Sequence, residues 1–391
     1  MHAHGETHDA NTDDANTDDA DTDDETRRPT RLIALRGVSG GGAPVRAAAP
    51  PSARGLSRAL ALIPTTAREV DVTDWTLLKA YEGAPALTSA SPAAARHRFF
   101  TALTRDQATP ANCSSQEDER NAASWSWDAT DLSWEASSVF PDGAPACVLA
   151  FRPGFALAPV IAHFVRRGFH ESLYHGVPIY TLPLRDASGA PWFSADPDLS
   201  LLNTAVLAGK GMLVLSPSPQ EMRAVLDAAA GRAGRTLSDD AAVRATVAGL
   251  GTAAGAVILP GLATCHSFLS PRAYSPQAIA ALTAALHLGQ LHPYAALGVG
   301  YREAGTRPVG VVLMHYPDAA TARSDLPTRR AIAAAGRSLF ALARRPYRLE
   351  SAAVHGGDLM LELRPAGDHP QILFSMVVQD DMLFAACPSR T

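Results

Sequence analysis

Two stretches of this chain share one order of patterns, and that order constrains the fold more than any other feature. In the first, "LSWEASSVF" reads as a strand, Pro141-Asp142-Gly143 as a turn and "ACVLAF" as a second strand. "ALAPVIAHFVRRG" follows as an amphipathic helix ending at Gly168. Strands at "FHESLY", "VPIYTLPL", "TAVLA" and "MLVLS" complete the stretch. In the second, "YAALGVGYRE" and "VGVVLMHY" are strands, and a helical region covers residues 319–343 with a break near Pro327. Strands at "YRLESAAV", "DLMLELR", "ILFSMVV" and "MLFAAC" close the chain. Both stretches thus run strand, strand, helix, then four strands. In this alignment Glu171-Ser172 answers Glu350-Ser351, and His175-Gly176 answers His355-Gly356. Gly209-Lys210-Gly211 answers Gln379-Asp380-Asp381. An internal duplication follows, and with it an α+β fold: two similar lobes, each a mostly antiparallel sheet covered by helices.

The expected division is a tail over residues 1–54, a first α+β lobe over 55–285 and a second over 286–391. Ahead of the first stretch, "LSRALALIP" reads as a short helix and "REVDVTD" as a strand. "DWTLLKAYEG" reads as a helix with Asp74 as N-cap, another helix covers 93–105, and 106–123 is a polar loop. Between the stretches, "SPQEMRAVLDAAAG" and "SDDAAVRATVAGLG" read as helices, the second with Ser238 as N-cap. "AAGAVILPG" reads as a buried strand.

The tail has a different chemistry. Residues 10–24 repeat ANTDD-ANTDD-ADTDD, which has no apolar side chain larger than Ala to offset the entropy of ordering, so disorder is expected. His2, His4 and His8 beside these aspartates read as part of a solvated acidic tail. Arg27-Arg28 before an apolar segment is a degenerate twin-arginine pattern, which leaves export open. Gly37-Val38-Ser39-Gly40-Gly41 matches GxSxG, but Gly-Gly-Ala-Pro follows where the nucleophile elbow needs a helix.

Charge and composition exclude some functions. A net charge of −5 gives no electrostatic support for nucleic-acid binding. No apolar run reaches the roughly 20 residues that span a bilayer. Cys113, Cys147, Cys265 and Cys387 lie far apart without CxxC, so they do not read as a zinc site. In an exported chain they allow one or two disulfides, with three full pairings open.

No motif carries a reaction. Gly209-Lys210-Gly211 is followed by Met and reads as a hairpin turn, not a P-loop. Gly298-Val299-Gly300 lacks the third glycine of a dinucleotide fingerprint. His163 and His170, and His287 and His292, lack the spacing that sets two imidazoles on one helical face. Cys265 and His266 are neighbours, which on a strand point apart. Trp125 and Trp127 share a face if they lie on a strand, and with Trp134 they read as core or lid packing before a stacking platform. Asp128 and Asp131, Asp196 and Asp198, and Asp380 and Asp381 all sit in turn-like contexts. His175-Gly176 has the residue types of a two-residue hairpin turn with positive φ at both positions, so His175 reads as a turn residue.

The run "LALIPTTAREVDVTDW" resembles the opening of bacterial envelope proteins or lipoproteins of unknown function. "GRTLSDDAAVRATVAGLGTAAGAVIL" is similar to a stretch in a related family of exported bacterial proteins. The resemblance spans residues 55–390 and implies an envelope location. It implies no catalytic residues, and this chain lacks the clean signal and lipobox cysteine of those families.

The expected function is therefore a non-enzymatic binding or interaction protein of the bacterial cell envelope. Its partner is an unknown ligand or protein, and no catalytic, cofactor-binding or metal residue and no cofactor is assigned. The alternatives are a hydrolase with a dispersed site using His170, His266 or His315, and a structural scaffold without a small ligand.

Overall fold

Strand β1, Glu69–Thr73, is the pivot of the architecture. It pairs antiparallel with β2 (Leu132–Val139) on one side and with β8 (Gly255–Pro260) on the other. Beyond β2 come β3 (Pro145–Phe151), β7 (Met212–Leu215), β6 (Asn203–Leu207), β5 (Val177–Thr181) and, at the edge, β4 (His170–Tyr174). Beyond β8 come β9 (Ala296–Ala304), β10 (Arg307–His315), β12 (Asp358–Pro365) and, at the opposite edge, β11 (Tyr347–His355). The α+β class and the antiparallel pairing are as expected. The strands of both stretches join one twelve-stranded sheet, because β1 and β8 set Val70 opposite Ile258 and Val72 opposite Ala256. This computed structural model describes residues 53–106, 109–110, 113, 125–182, 203–232, 234–261, 264–269, 275–304, 307–336, 345–366 and 371–387. His2, His4, His8, Ser39, Asp196 and Asp198 lie outside them, as does most of the loop expected at 106–123.

The helices are α1 (Ala53–Leu60), α2 (Trp75–Tyr81), α3 (Ala93–Asp106), α4 (Ala158–Arg166) and α5 (Pro219–Ala229). They continue with α6 (Ala241–Leu250), α7 (Thr264–Ser267), α8 (Pro276–Ala285), α9 (Ala319–Ala335) and α10 (Ile372–Val378). Because side chains alternate along a strand, each strand feeds two cores. Val70 and Val72, Val148, Ile258 and Leu313 face α1, α5 and α6, which supply Leu60, Val225 and Val243. On the other face two separate cores form. Leu149, Leu213 and Leu215 meet Trp75, Phe99 and Phe164 of α2, α3 and α4. Val257, Val299 and Leu361 meet Phe268, Ile332, Leu373 and Phe374, which come from α9, α10 and the residue after α7.

Local chemistry explains most boundaries. Asp74 caps α2, its Oδ1 accepting from Leu77 N at 3.0 Å. The cap of α6 is Asp240 rather than Ser238. Thr236 and Asp239 close their own capping box around a short 3-10 turn, and Asp240 Oδ1 then accepts from Ala242 and Val243. Helix α9 continues through Pro327 without a break. Ala322, Asp325, Arg329, Ile332 and Ala333 are buried along its length, and that anchoring outweighs one missing hydrogen bond.

Two expectations are corrected in the second stretch. "ILFSMVV" is helix α10, and Leu383–Ala385 in "MLFAAC" is a 3-10 turn, so neither is a strand. A short apolar run fits either state, and here a helix places Leu373, Phe374, Met376 and Val377 in the core while Ser375 and Val378 face out. His175-Gly176 does form the β4–β5 turn, with φ of 51° and 81°. In β11–β12, however, the turn is Gly356-Gly357, and His355 pairs with Asp358 inside the ladder. The two His-Gly pairs therefore do not occupy equivalent positions.

Candidate functional site

Where β1 begins and β2 and β8 end, the sheet leaves a seam beside the core that α9 and α10 cover. A cavity of about 740 Å³ opens there. Its walls are Arg68 and Glu69 at the start of β1, the β2–β3 turn from Val139 to Gly143, Leu259 and Pro260 at the end of β8, Thr264 and Phe268, and Val377 and Asp380. The turn is held by Phe140 N donating to Ala144 O at 3.1 Å, and Asp142 Oδ1 accepts from Ala144 N at 3.0 Å. Asp380 leaves α10 with φ of 54°. The opposite wall is fastened by a disulfide between Cys265 and Cys387, backed by a bond from Cys387 N to Cys265 O at 3.1 Å.

β1 explains the polarity of the seam. Val70 and Val72 point into one core, so Glu69, Asp71 and Thr73 point to the other face. Asp71 stands opposite Ser137 on β2 and Val257 on β8. Burial pushes the Asp71 carboxyl well up, and the neighbouring Glu69 charge adds to it. Burial also raises Glu69, with Asp380 adding to it. Asp71 Oδ1 is buried with no hydrogen-bond partner.

Among the described residues, those singled out by sequence fall at several separate places in the fold. Asp128 and Asp131 are both buried, but each is held by an arginine: Arg96 to Asp128 at 2.7 Å and Arg152 to Asp131 at 3.1 Å. Asp128 also accepts from the Thr130 hydroxyl. Lys79 donates to Thr130 O at 2.7 Å beside them, its ammonium pKa pushed down chiefly by burial. This is an internal ion network under α2 and α3. Cys113 and Cys147 form the second disulfide, so all four thiols are paired, and a cysteine nucleophile is excluded. Trp125 and Trp127 flank Ser126 at φ of 64° and do not share a strand. Both are buried in the core under α4, Trp125 lying against His163 and Phe164, while Trp134 belongs to the opposite core.

The histidines are dispersed. His170 begins the exposed edge strand β4. His292 Nδ1 lies 2.7 Å from Asp325, and His315 Nδ1 lies 2.6 Å from Asp358. Neither pair lines the cavity. The His266 side chain lies outside the described residues. Gly209-Lys210-Gly211 is a turn, with Gly211 at φ of 64° and Lys210 Nζ on Ala229 O at 2.6 Å. Gly298 and Gly300 give room for α6: a Cβ on Gly298 would sit 2.5 Å from Thr246 Cγ2.

Sequence reasoning missed Arg68, Glu69 and Asp71. The signal was present as charged residues alternating with Val in "REVDVT". Only the position of β1 at the centre of the sheet leaves Glu69 and Asp71 half-buried rather than on an open face.

No family model matches the chain, and no curated protein matches it. A solved structure of TP0453 in its crystal form I is similar at 10% identity, covering 82% of this chain and 96% of that chain with a TM-score of 0.41. A likeness this distant carries neither a fold assignment nor a function to the present chain.

Proposed function

We propose that the chain is a non-enzymatic binding protein of the bacterial cell envelope that takes its ligand in the seam cavity. The observation that carries this is the cavity itself. Its volume suits a small molecule, and Val139, Phe140, Leu259, Phe268 and Val377 give it apolar walls around a few charged groups. Among the described residues neither histidine nor cysteine lines it, so His170 and His315 are not placed to act there. Two disulfides support an oxidising compartment, in line with the degenerate export pattern. Among the described residues no helix is long and apolar enough to cross a membrane.

The duplication belongs to the same proposal. Helix, strand, two helices, two strands, helix, a hairpin and a helix run from α1 to α5 and again from α6 to α10, with β4–β5 as an added hairpin in the first copy. The antiparallel β1–β8 pair then relates two similar halves, and the cavity forms where they meet. This order supports a boundary between α5 and α6 better than one at residues 285–286.

The test is mass spectrometry of small molecules extracted from the chain purified from the envelope fraction, beside Val139→Trp, which fills the cavity. A ligand present in the wild type and lost in the variant is expected. A wild type without any ligand favours the scaffold alternative, and one that consumes its ligand favours the hydrolase.

A further inference from the structure

We propose that the seam cavity takes an amphipathic amine, an apolar body carrying a protonated nitrogen that pairs with the Glu69 carboxylate. This rests on the cavity being a ligand site. Among the described residues the charged lining is one guanidinium, Arg68, against the carboxyls of Glu69, Asp142 and Asp380. One cation against three acids leaves this described lining net negative, whichever of them Arg68 stands nearest. Behind Glu69, on the same face of β1, Asp71 adds a further carboxyl whose buried Oδ1 has no hydrogen-bond partner.

Burying a carboxyl without a partner is costly, and burying several beside one another is more so. A neutral apolar ligand would remove water from these groups and give nothing back. A carboxylate ligand would add a like charge. An ammonium supplies three donors and the opposite charge, while Phe140 and Phe268 accept its apolar body.

The experiment is isothermal titration calorimetry of the full chain at neutral pH with octylamine, octanol and octanoate. These share one apolar body and differ in the head group. Octylamine is expected to bind at least about tenfold more tightly than the other two, a difference of about 1.4 kcal/mol. Glu69→Gln should remove that preference while leaving octanol binding intact. Asp380→Asn, which suits the left-handed backbone at that position, should reduce it and serves if Glu69→Gln does not fold. Equal binding of octanol, or tighter binding of octanoate, overturns the amine assignment and leaves the ligand site standing. Binding of none of the three overturns both.

Discussion

Cys265 and Cys387 are joined across 122 residues, which fastens the C-terminal segment to the short helix that carries Thr264 and lies beside Phe268 at the cavity. Loop-closure entropy makes such a long link worth about 5 kcal/mol, against about 4 kcal/mol for Cys113–Cys147, which spans 34 residues. Replacing both cysteines of the longer link by Ala should therefore lower the urea midpoint more than the same change in the shorter one. Equal losses would show that native packing, not chain closure, sets the effect.

Arg329 is fully buried and ties the same segment to α9. Its Nη1 donates to Phe384 O at 2.8 Å and Ala386 O at 3.0 Å, its Nη2 to His292 O at 3.1 Å, and its Nε to the Tyr316 hydroxyl at 2.6 Å. Arg329→Met takes the donor from these acceptors and the positive charge from beside the buried Asp325, which keeps its bonds from His292 N and the Tyr316 hydroxyl. A loss of about 3–5 kcal/mol is expected in denaturant unfolding. A loss under about 1 kcal/mol would mean that water replaces the guanidinium without strain.

Gly298 lies under α6. A methyl group there meets Thr246 at 2.5 Å and Leu250 Cδ1 at 3.0 Å, so Gly298→Ala should destabilise by about 1–3 kcal/mol, read from thermal unfolding. Pairing it with Thr246→Ser, which removes the opposing methyl, should recover part of the loss. No recovery would place the strain elsewhere.

How much of the molecule was legible in the sequence depends on what each residue answers to. The His175-Gly176 turn, the Asp74 cap and the β2–β3 hairpin around Pro141-Asp142-Gly143 are local, and sequence reads them. Helix α10 was missed because a seven-residue run whose one polar residue is Ser375 is too short for its periodicity to separate a helix from a strand. The cavity was missed for a topological reason. Glu69 and Asp71 look like the wet side of a strand until β8, far along the chain, pairs with β1 and sets it at the centre of the sheet, where both are half-buried.

Asp74 gives stability a pH dependence. Burial raises its carboxyl to about 6, although the Leu77 and Thr76 amides oppose this. A folded value above the unfolded 3.8 means that the protonated form is the one folding favours. The associated stability is full below about pH 4 and is lost as pH rises through about 6. A carboxyl lifted from 3.8 to about 6 corresponds to about 3 kcal/mol between those limits. Asp74→Asn keeps the cap acceptor and removes the charge. The stability difference between variant and wild type should therefore grow in the variant's favour from pH 4 to 7. A difference that stays flat would contradict the assignment.

Amide hydrogen exchange of the full chain, with and without octylamine, tests the seam cavity as the ligand site most directly. Slowed exchange is expected at the β2–β3 turn around Phe140–Gly143, at Leu259, at Thr264–Phe268 and at Val377–Asp380, which come together at this cavity. Protection confined to other parts of the sheet, or none at saturating octylamine, would contradict it.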